Sequence, residues 1–380
     1  MNKKFIKLTA FLVATASLVF SFSCGKETNP TEIKNMVLII GDGMGIEHIT
    51  AGQLVENTVY PFTEWDFVSV NTDSVKTDGK GPVLTDSAAA GTALATGYLT
   101  VNGYVGKDYN GNDVKTILDY ASEKGKSTGV VTTDYLHGAT PGAFSAHSLS
   151  RNNTAELVST QIKSGVNLLC GSYDTNCSSQ EQTIVENGYA YCDDYSKIEQ
   201  STQGQKAYWL FDMAGTSASV KLEDVAENAL DFLNKDQDGF VLMIEQAHID
   251  KYSHSNDFQG MWNMVASLNR TVEAVKEWIG DRTDTAILIT ADHETGGLNV
   301  GLEDRYSKYV TIKNGGKKIY YNWSTGDHTN AKVGLFTYGI TPDFESLGYY
   351  KSRHLIKNID VFRTMHEVLT SPVKYSAFTA

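Results

Sequence analysis

The chain has 380 residues, of which 41% are hydrophobic, 11% aromatic and 20% charged, and its formal net charge is −13. These figures exclude collagen-like, coiled-coil and intrinsically disordered chains. The acidic balance also excludes nucleic-acid binding through the surface field, because a phosphate backbone demands a basic footprint.

Residues 1–7 are cationic, residues 8–22 are apolar or small without charge, and Ser21-Phe22-Ser23-Cys24 closes the run. This pattern predicts a secretory signal peptide over residues 1–24. The apolar run is too short for a membrane span. A cysteine directly after the small Ser23 has the form of a bacterial lipoprotein cleavage site, although Phe22 stands where a small residue is usual. The expectation is therefore a lipidated Cys24 and an exported protein, periplasmic or membrane-anchored, with a plainly cleaved signal as the alternative. Residues 25–34 read as a polar tether and residues 35–380 as one domain. Removing residues 1–24 takes away Lys3, Lys4 and Lys7 and leaves a net charge of −16. If such a protein handles phosphate, bound metal ions must locally reverse the sign.

Short apolar runs then alternate with helical patterns. Residues 36–40, 128–132, 166–169, 240–244, 286–289 and 333–337 read as buried strands. Residues 114–124, 222–234, 261–279 and 358–369 read as helices. This alternation predicts an α/β fold with a largely parallel central sheet and helices on both faces. Residues 308–321, centred on Asn314-Gly315-Gly316, read as a β-hairpin insertion. An oxidising compartment permits one disulfide among Cys170, Cys177 and Cys192, leaving one free thiol.

The residues just past the strands carry the chemistry. The run 37–41 leads into Asp42, 241–244 into Glu245 with Asp250 and His254 beyond, and 287–291 into Asp292-His293. Ligands of open α/β sheets bind outside the carboxyl ends of the strands. Carboxylates gathered at one edge need a cation among them, and carboxylates with imidazoles suit Zn²⁺ and Mg²⁺. Asp250 and His254 lie one helical turn apart and can reach one ion. Asp42-Gly43 alone reads equally well as a turn, and Asp86 or Ser87 as a helix cap. The small-residue run of 85–97 nevertheless predicts a tightly packed helix with Ser87 in its anion-favouring first turn.

DGMG at 42–45, TDSAAAGTALATG at 85–97, GATPGAFSAHSLSR at 138–151, IEQAHIDKYSH at 244–254, DHETGGL at 292–298 and STGDHT at 324–329 together resemble the alkaline phosphatase family in its own order. The resemblance covers nearly all of residues 35–370. It implies the family's three-layer α/β sandwich and a phosphate-monoester hydrolase of broad specificity. Ser87 would be the nucleophile that becomes a phosphoserine, which a zinc-bound water hydrolyses at alkaline pH. Asp250, His254 and His328 would hold one zinc, and Asp42, Asp292 and His293 a second. Asp42, Thr140 and Glu245 would hold a magnesium. Arg151 would grip the non-bridging phosphate oxygens, Asp86 would orient that arginine, and Lys251 resembles a lysine that reaches phosphate through water. Phosphate monoesters and inorganic phosphate are the implied partners, with a homodimer as the family's habit.

Some positions depart from the pattern. Members commonly carry His or Asp two residues before the threonine matching Thr140, whereas this chain has Gly138 there, with His137 one step back. That leaves the identity of the third metal open. His147 reads as structural, His248, on a different face from Asp250 and His254, as a support behind the ligands or a surface residue, and His48, His354 and His366 as surface or core. A phosphodiesterase or sulfatase on the same fold is the alternative. Diesterases typically lack an arginine matching Arg151, and sulfatases use a modified cysteine where this chain has Ser87. A lipoprotein that only binds metal would need neither residue.

Overall fold

The computed structural model describes residues 32–304, 306, 308–311, 316–342 and 355–371. The expected signal and lipidation site, most of the tether and His354 lie outside the described residues.

Among the described residues ten strands form the main sheet: β1 (Asn35–Gly41), β2 (Asp66–Asn71), β3 (Ser127–Thr132), β4 (Leu168–Ser172), β5 (Ala190–Cys192), β6 (Ala207–Phe211), β7 (Phe240–Gln246), β8 (Thr285–Thr290), β9 (Val333–Tyr338) and β10 (Leu355–Lys357). Their order is β10-β2-β9-β8-β1-β7-β3-β4-β6-β5. Only β9 runs antiparallel to its neighbours; every other pairing is parallel. The central strands are buried along their whole length, which is why they read as continuous apolar runs and not as alternating ones.

The helices that matter for the site are α1 (Ile46–Glu56), α2 (Ser87–Thr96), α3 (Ile117–Glu123), α4 (Ala139–Ser145), α5 (Leu222–Leu233), α6 (His248–His254), α7 (Phe258–Ile279) and α8 (Asn358–Thr370). One packed group comprises α1, α5, α6 and α7, and another α2, α3, α4 and α8. Both groups rest on the same central strands, hence on opposite faces. The largely parallel α/β sandwich read from the sequence is therefore the observed architecture. No helix among the described residues is long and apolar enough to cross a membrane.

Lys308–Thr311 pairs antiparallel with Lys318–Trp323, and Leu298–Gly301 adds a third strand to that small sheet. The strand expected at 166–169 is Leu168–Ser172, and the helix expected from 114 starts at Ile117, because the Thr116 side chain caps it by accepting from the Asp119 amide.

The disulfide allowed on composition is not formed: Cys170, Cys177 and Cys192 are buried free thiols. Cys170 and Cys192 both pair with Trp209 from opposite sides of β6. Two strand spacings put their Cα atoms roughly 9.5 Å apart, beyond the reach of about 7 Å that a disulfide tolerates.

Candidate active site and metal centre

Because β1, β7 and β8 are parallel neighbours, their carboxyl ends share one edge, with Ile40 level with both Glu245 and Thr290. Asp42 lies just past β1, Glu245 is the last residue but one of β7, and Asp292 lies two residues past the end of β8. The turn after β1 needs glycine: Gly43 has φ +73°, and a Cβ there would lie 2.8 Å from the Asp250 Cα. That close approach lets the Gly43 amide donate to Asp292 Oδ1 at 3.1 Å, locking two strand ends together.

Ser87 opens α2, whose ten residues are all buried. A Cβ at Gly91 would lie 3.2 Å from the Ala143 Cβ and 3.3 Å from the Thr140 Cα. The small-residue run thus lets α2 and α4 pack almost backbone to backbone, which brings Thr140 beside the serine helix. Asp86 caps α2 by accepting from the Ala89 amide at 2.9 Å. Its other oxygen accepts from the Gly103 amide at 3.0 Å and from Arg151 Nη1 at 3.2 Å. One carboxylate therefore both starts the serine helix and aims a guanidinium, whose side chain is 37% exposed. Ser87 Oγ lies 3.1 Å from His293 Nε2.

Asp250, His254 and His328 offer ligand atoms within 4.8 Å of one another, and so do Asp42, Asp250 and His293. Asp292 Oδ2 lies 3.1 Å and Asp42 Oδ1 3.6 Å from His293 Nε2, so the trio Asp42, Asp292 and His293 converges as well. Asp250 sits between the two groups.

The far ring nitrogens are anchored. His254 Nδ1 donates to the Gly326 carbonyl at 2.6 Å and His328 Nδ1 to the Thr85 carbonyl at 2.8 Å. A carbonyl only accepts, so each ring carries its proton on Nδ1 and turns a bare Nε2 toward Asp250. Thr295 does the same for His293: its hydroxyl donates to Asp250 Oδ1 at 2.5 Å and so accepts from His293 Nδ1 at 3.2 Å.

The electrostatics describe a site short of positive charge. Burial, then the charges of Asp292, Asp250 and Glu245, push the Asp42 carboxyl well up, with Arg151 opposing. Burial and the charge of Asp134 push Glu245 up to about 8. Burial opposes the charge on Asp292, yet the His293 charge and hydrogen bond and the Gly43 amide carry its pKa down to about 2. The His293 imidazole is raised in turn, against its burial, chiefly by Asp292. Among the described residues, Asp42 Oδ1 and Thr140 Oγ1 are buried without a hydrogen-bond partner, and the oxygen Asp292 Oδ2 has only the His293 ring beside it. Orphaned oxygens among mutually repelling carboxylates are what divalent cations would satisfy, so the residues fit such ions.

Lys251 forms an ion pair with Asp134, at the mouth of the site. The remaining histidines lie elsewhere. His48 is in the core against Ser253 Oγ at 3.1 Å, and burial lowers its pKa to about 3. His248 is buried against Thr133 Oγ1 at 3.2 Å, and His147 Nδ1 donates to the Gly106 carbonyl at 2.6 Å. Sequence reasoning missed three residues here: Thr295, Asp134 and Thr132, whose hydroxyl donates to Glu245. Thr295 lies inside the quoted DHETGGL segment, but nothing in its spacing marks a hydroxyl as an anchor.

A family model described as "Alkaline phosphatase" matches residues 33–184 and 181–364. Alkaline phosphatase 3 of Bacillus subtilis (strain 168) is 30% identical over 337 residues, spanning 80% of this chain and 73% of that protein. Alkaline phosphatase 4 of the same organism is 31% identical over 330 residues, spanning 79% and 71%. A solved TAB5 alkaline phosphatase variant, with Mg bound in its M3 site, superposes with a TM-score of 0.75 at 23% identity, covering 90% of this chain and 99% of that one.

Proposed function

The chain belongs to the alkaline phosphatase family and is a phosphatase, and from that premise we propose that it hydrolyses phosphate monoesters of broad structure through a phosphoserine at Ser87. One observation carries the reading. A serine at a helix N-terminus, an exposed guanidinium and a ring of buried carboxylates with imidazoles that run from buried His293 to exposed His254 meet at one sheet edge.

The donor sets divide by chemistry. Asp250, His254 and His328, and Asp42, Asp292 and His293, mix oxygen and nitrogen and suit zinc. Asp42, Thr140 and Glu245 offer oxygen alone and suit magnesium. Divalent cations held there supply positive charge that lowers the pKa of the serine hydroxyl and offsets the charge of the phosphoryl group.

The chain's own groups do the rest. Arg151 presents its planar fork to two non-bridging phosphate oxygens, held in aim by Asp86. Ser87 Oγ attacks phosphorus in line with the ester oxygen: the Oγ–P bond forms, the P–O ester bond breaks, and the leaving alcohol takes up a proton. The amides of the first turn of α2 favour the added negative charge. Water then attacks phosphorus from the vacated side. The P–Oγ bond breaks, inorganic phosphate leaves and Ser87 returns to a hydroxyl. An alkaline optimum is expected, because both attacking oxygens must lose protons. The grip is on phosphate, and Arg151 and His254 sit at an exposed rim, so the leaving group remains in solvent and breadth is expected. The cationic–apolar–Cys24 pattern of residues 1–24 supports export as a lipid-anchored enzyme.

The test is hydrolysis of a chromogenic aryl phosphate at alkaline pH, with and without chelator. Ser87→Ala should cut turnover roughly 10³-fold or more, and chelator should abolish it. Chelator-insensitive turnover would contradict the metal reading. Arg151→Ala should impair monoesters far more than diesters; equal losses on both would favour a diesterase.

A further inference from the structure

Gly138 leaves the third-cation group without the side chain that a residue there would supply. Its φ of −57° is open to any residue, so glycine is not demanded by the backbone angle. Space is what it yields: a Cβ at 138 would lie 3.0 Å from Asp134 Oδ2 and 2.9 Å from the Tyr135 carbonyl. The carboxylate of Asp134 thus fills the position toward which a side chain at 138 would grow.

Asp134 is built into this place. It comes two residues after Thr132, the last residue of β3, which is level with Glu245. Its amide donates to Thr132 Oγ1 at 2.9 Å, and that hydroxyl donates on to Glu245. Its carbonyl accepts from the Ser172 amide at 2.7 Å. The side chain is ion-paired with Lys251, one residue past Asp250. Its charge acts on Glu245, and among the described residues Thr140 Oγ1 and Asp42 Oδ1, the other proposed ligands of that group, stay buried without partners. Magnesium retains several of its waters and needs acceptors for them, and a partly exposed carboxylate such as this one is such an acceptor.

Resting on the magnesium site of the proposed function, we infer that Asp134 supplies the acidic support that Gly138 lacks: it is a positioning residue for a magnesium held by Asp42, Thr140 and Glu245, and it holds Lys251 beside that ion. Outer partners of this kind typically govern metal affinity by about 10- to 100-fold. Asp134→Asn keeps the shape and removes the charge.

The experiment titrates Mg²⁺ calorimetrically into the zinc-loaded full chain, with zinc counted by elemental analysis and folding followed by circular dichroism. Asp134→Asn should weaken magnesium binding about 10- to 100-fold, leave the zinc content and the fold as in the wild type, and shift the magnesium requirement of turnover to match. Asp134→Glu should recover part of the affinity. The double variant Asp134→Asn/Lys251→Met should stay weak. Wild-type affinity in Asp134→Asn overturns the inference alone. So does full recovery in the double variant, which would reduce Asp134 to a counter-charge for the lysine. A wild-type chain that holds no magnesium overturns the underlying third-site reading and the inference with it.

Discussion

The hydroxyl of Thr295 fixes two proposed ligands at once, because it donates to Asp250 and accepts from His293. That single orientation decides which imidazole nitrogen is bare toward the cluster. Thr295→Val keeps the volume and removes both hydrogen bonds. It should weaken zinc binding about 10- to 100-fold, measured by titrating zinc into chelator-stripped protein, whereas Thr295→Ser should bind near the wild-type level. Equal zinc affinity in Thr295→Val would show that packing alone orients His293. Asp86 has a similar double load, since its two oxygens cap α2 and hold Arg151. The cap was legible from its position before a small-residue helix. The arginine contact was expected only through the family resemblance, because Asp86 and Arg151 are separated by a long stretch of chain that only folding closes.

At the scale of elements, the packing of α2 on α4 sets the depth of the site. Gly91 lets the two backbones approach, and Thr140 rides on the far helix. Gly91→Val would thrust branched carbons into Ala143 and Thr140 and push the helices apart. The expected result is a stability loss of about 1–3 kcal/mol, read from the urea midpoint, with a rise in the Mg²⁺ concentration needed for turnover as Thr140 withdraws. A variant that loses stability but keeps its magnesium requirement would separate helix spacing from the third cation. The strands behind these helices differed in legibility for a physical reason. β1, β7 and β8 are buried on both faces and read as apolar runs. β2 buries only Val68 and Val70 and leaves Phe67 exposed, and β5 has only three residues; neither shows the uninterrupted apolar run of the central strands.

At the scale of the whole molecule, the carboxylate edge couples folding to pH. In metal-free protein Glu245 holds its proton up to about pH 8, against an ordinary value of 4.5. Across that window the folded state binds more protons than the unfolded one, so stability falls as pH rises. Asp42, also raised, adds in the same sense. Asp292, lowered to about 2 from 3.8, acts the other way, but only in the acid range below the window. His48 and His248, lowered by burial to about 3 and about 4 from 6.5, oppose this trend below about pH 6.5. The thermal midpoint of chelator-stripped protein should therefore drop between about pH 6.5 and 8, and Glu245→Gln should flatten the fall. A midpoint that holds steady in the wild type, or a slope unchanged by Glu245→Gln, would count against this account. Bound cations should restore the midpoint at the alkaline end, since they bind the folded chain and not the unfolded one.

Periodicity and the order of the motifs determined the six central strands of the sheet, their largely parallel sense and the edge at which carboxylates gather, because buried strands announce themselves as uninterrupted apolar runs and chemistry collects at their ends. Contacts between distant segments were decided by tertiary structure alone. Cys170 and Cys192 stay apart because β6 lies between them, and Asp134 stands in the space that Gly138 vacates. Linear spacing records neither fact, since both depend on which strand lies beside which and on how closely two backbones approach.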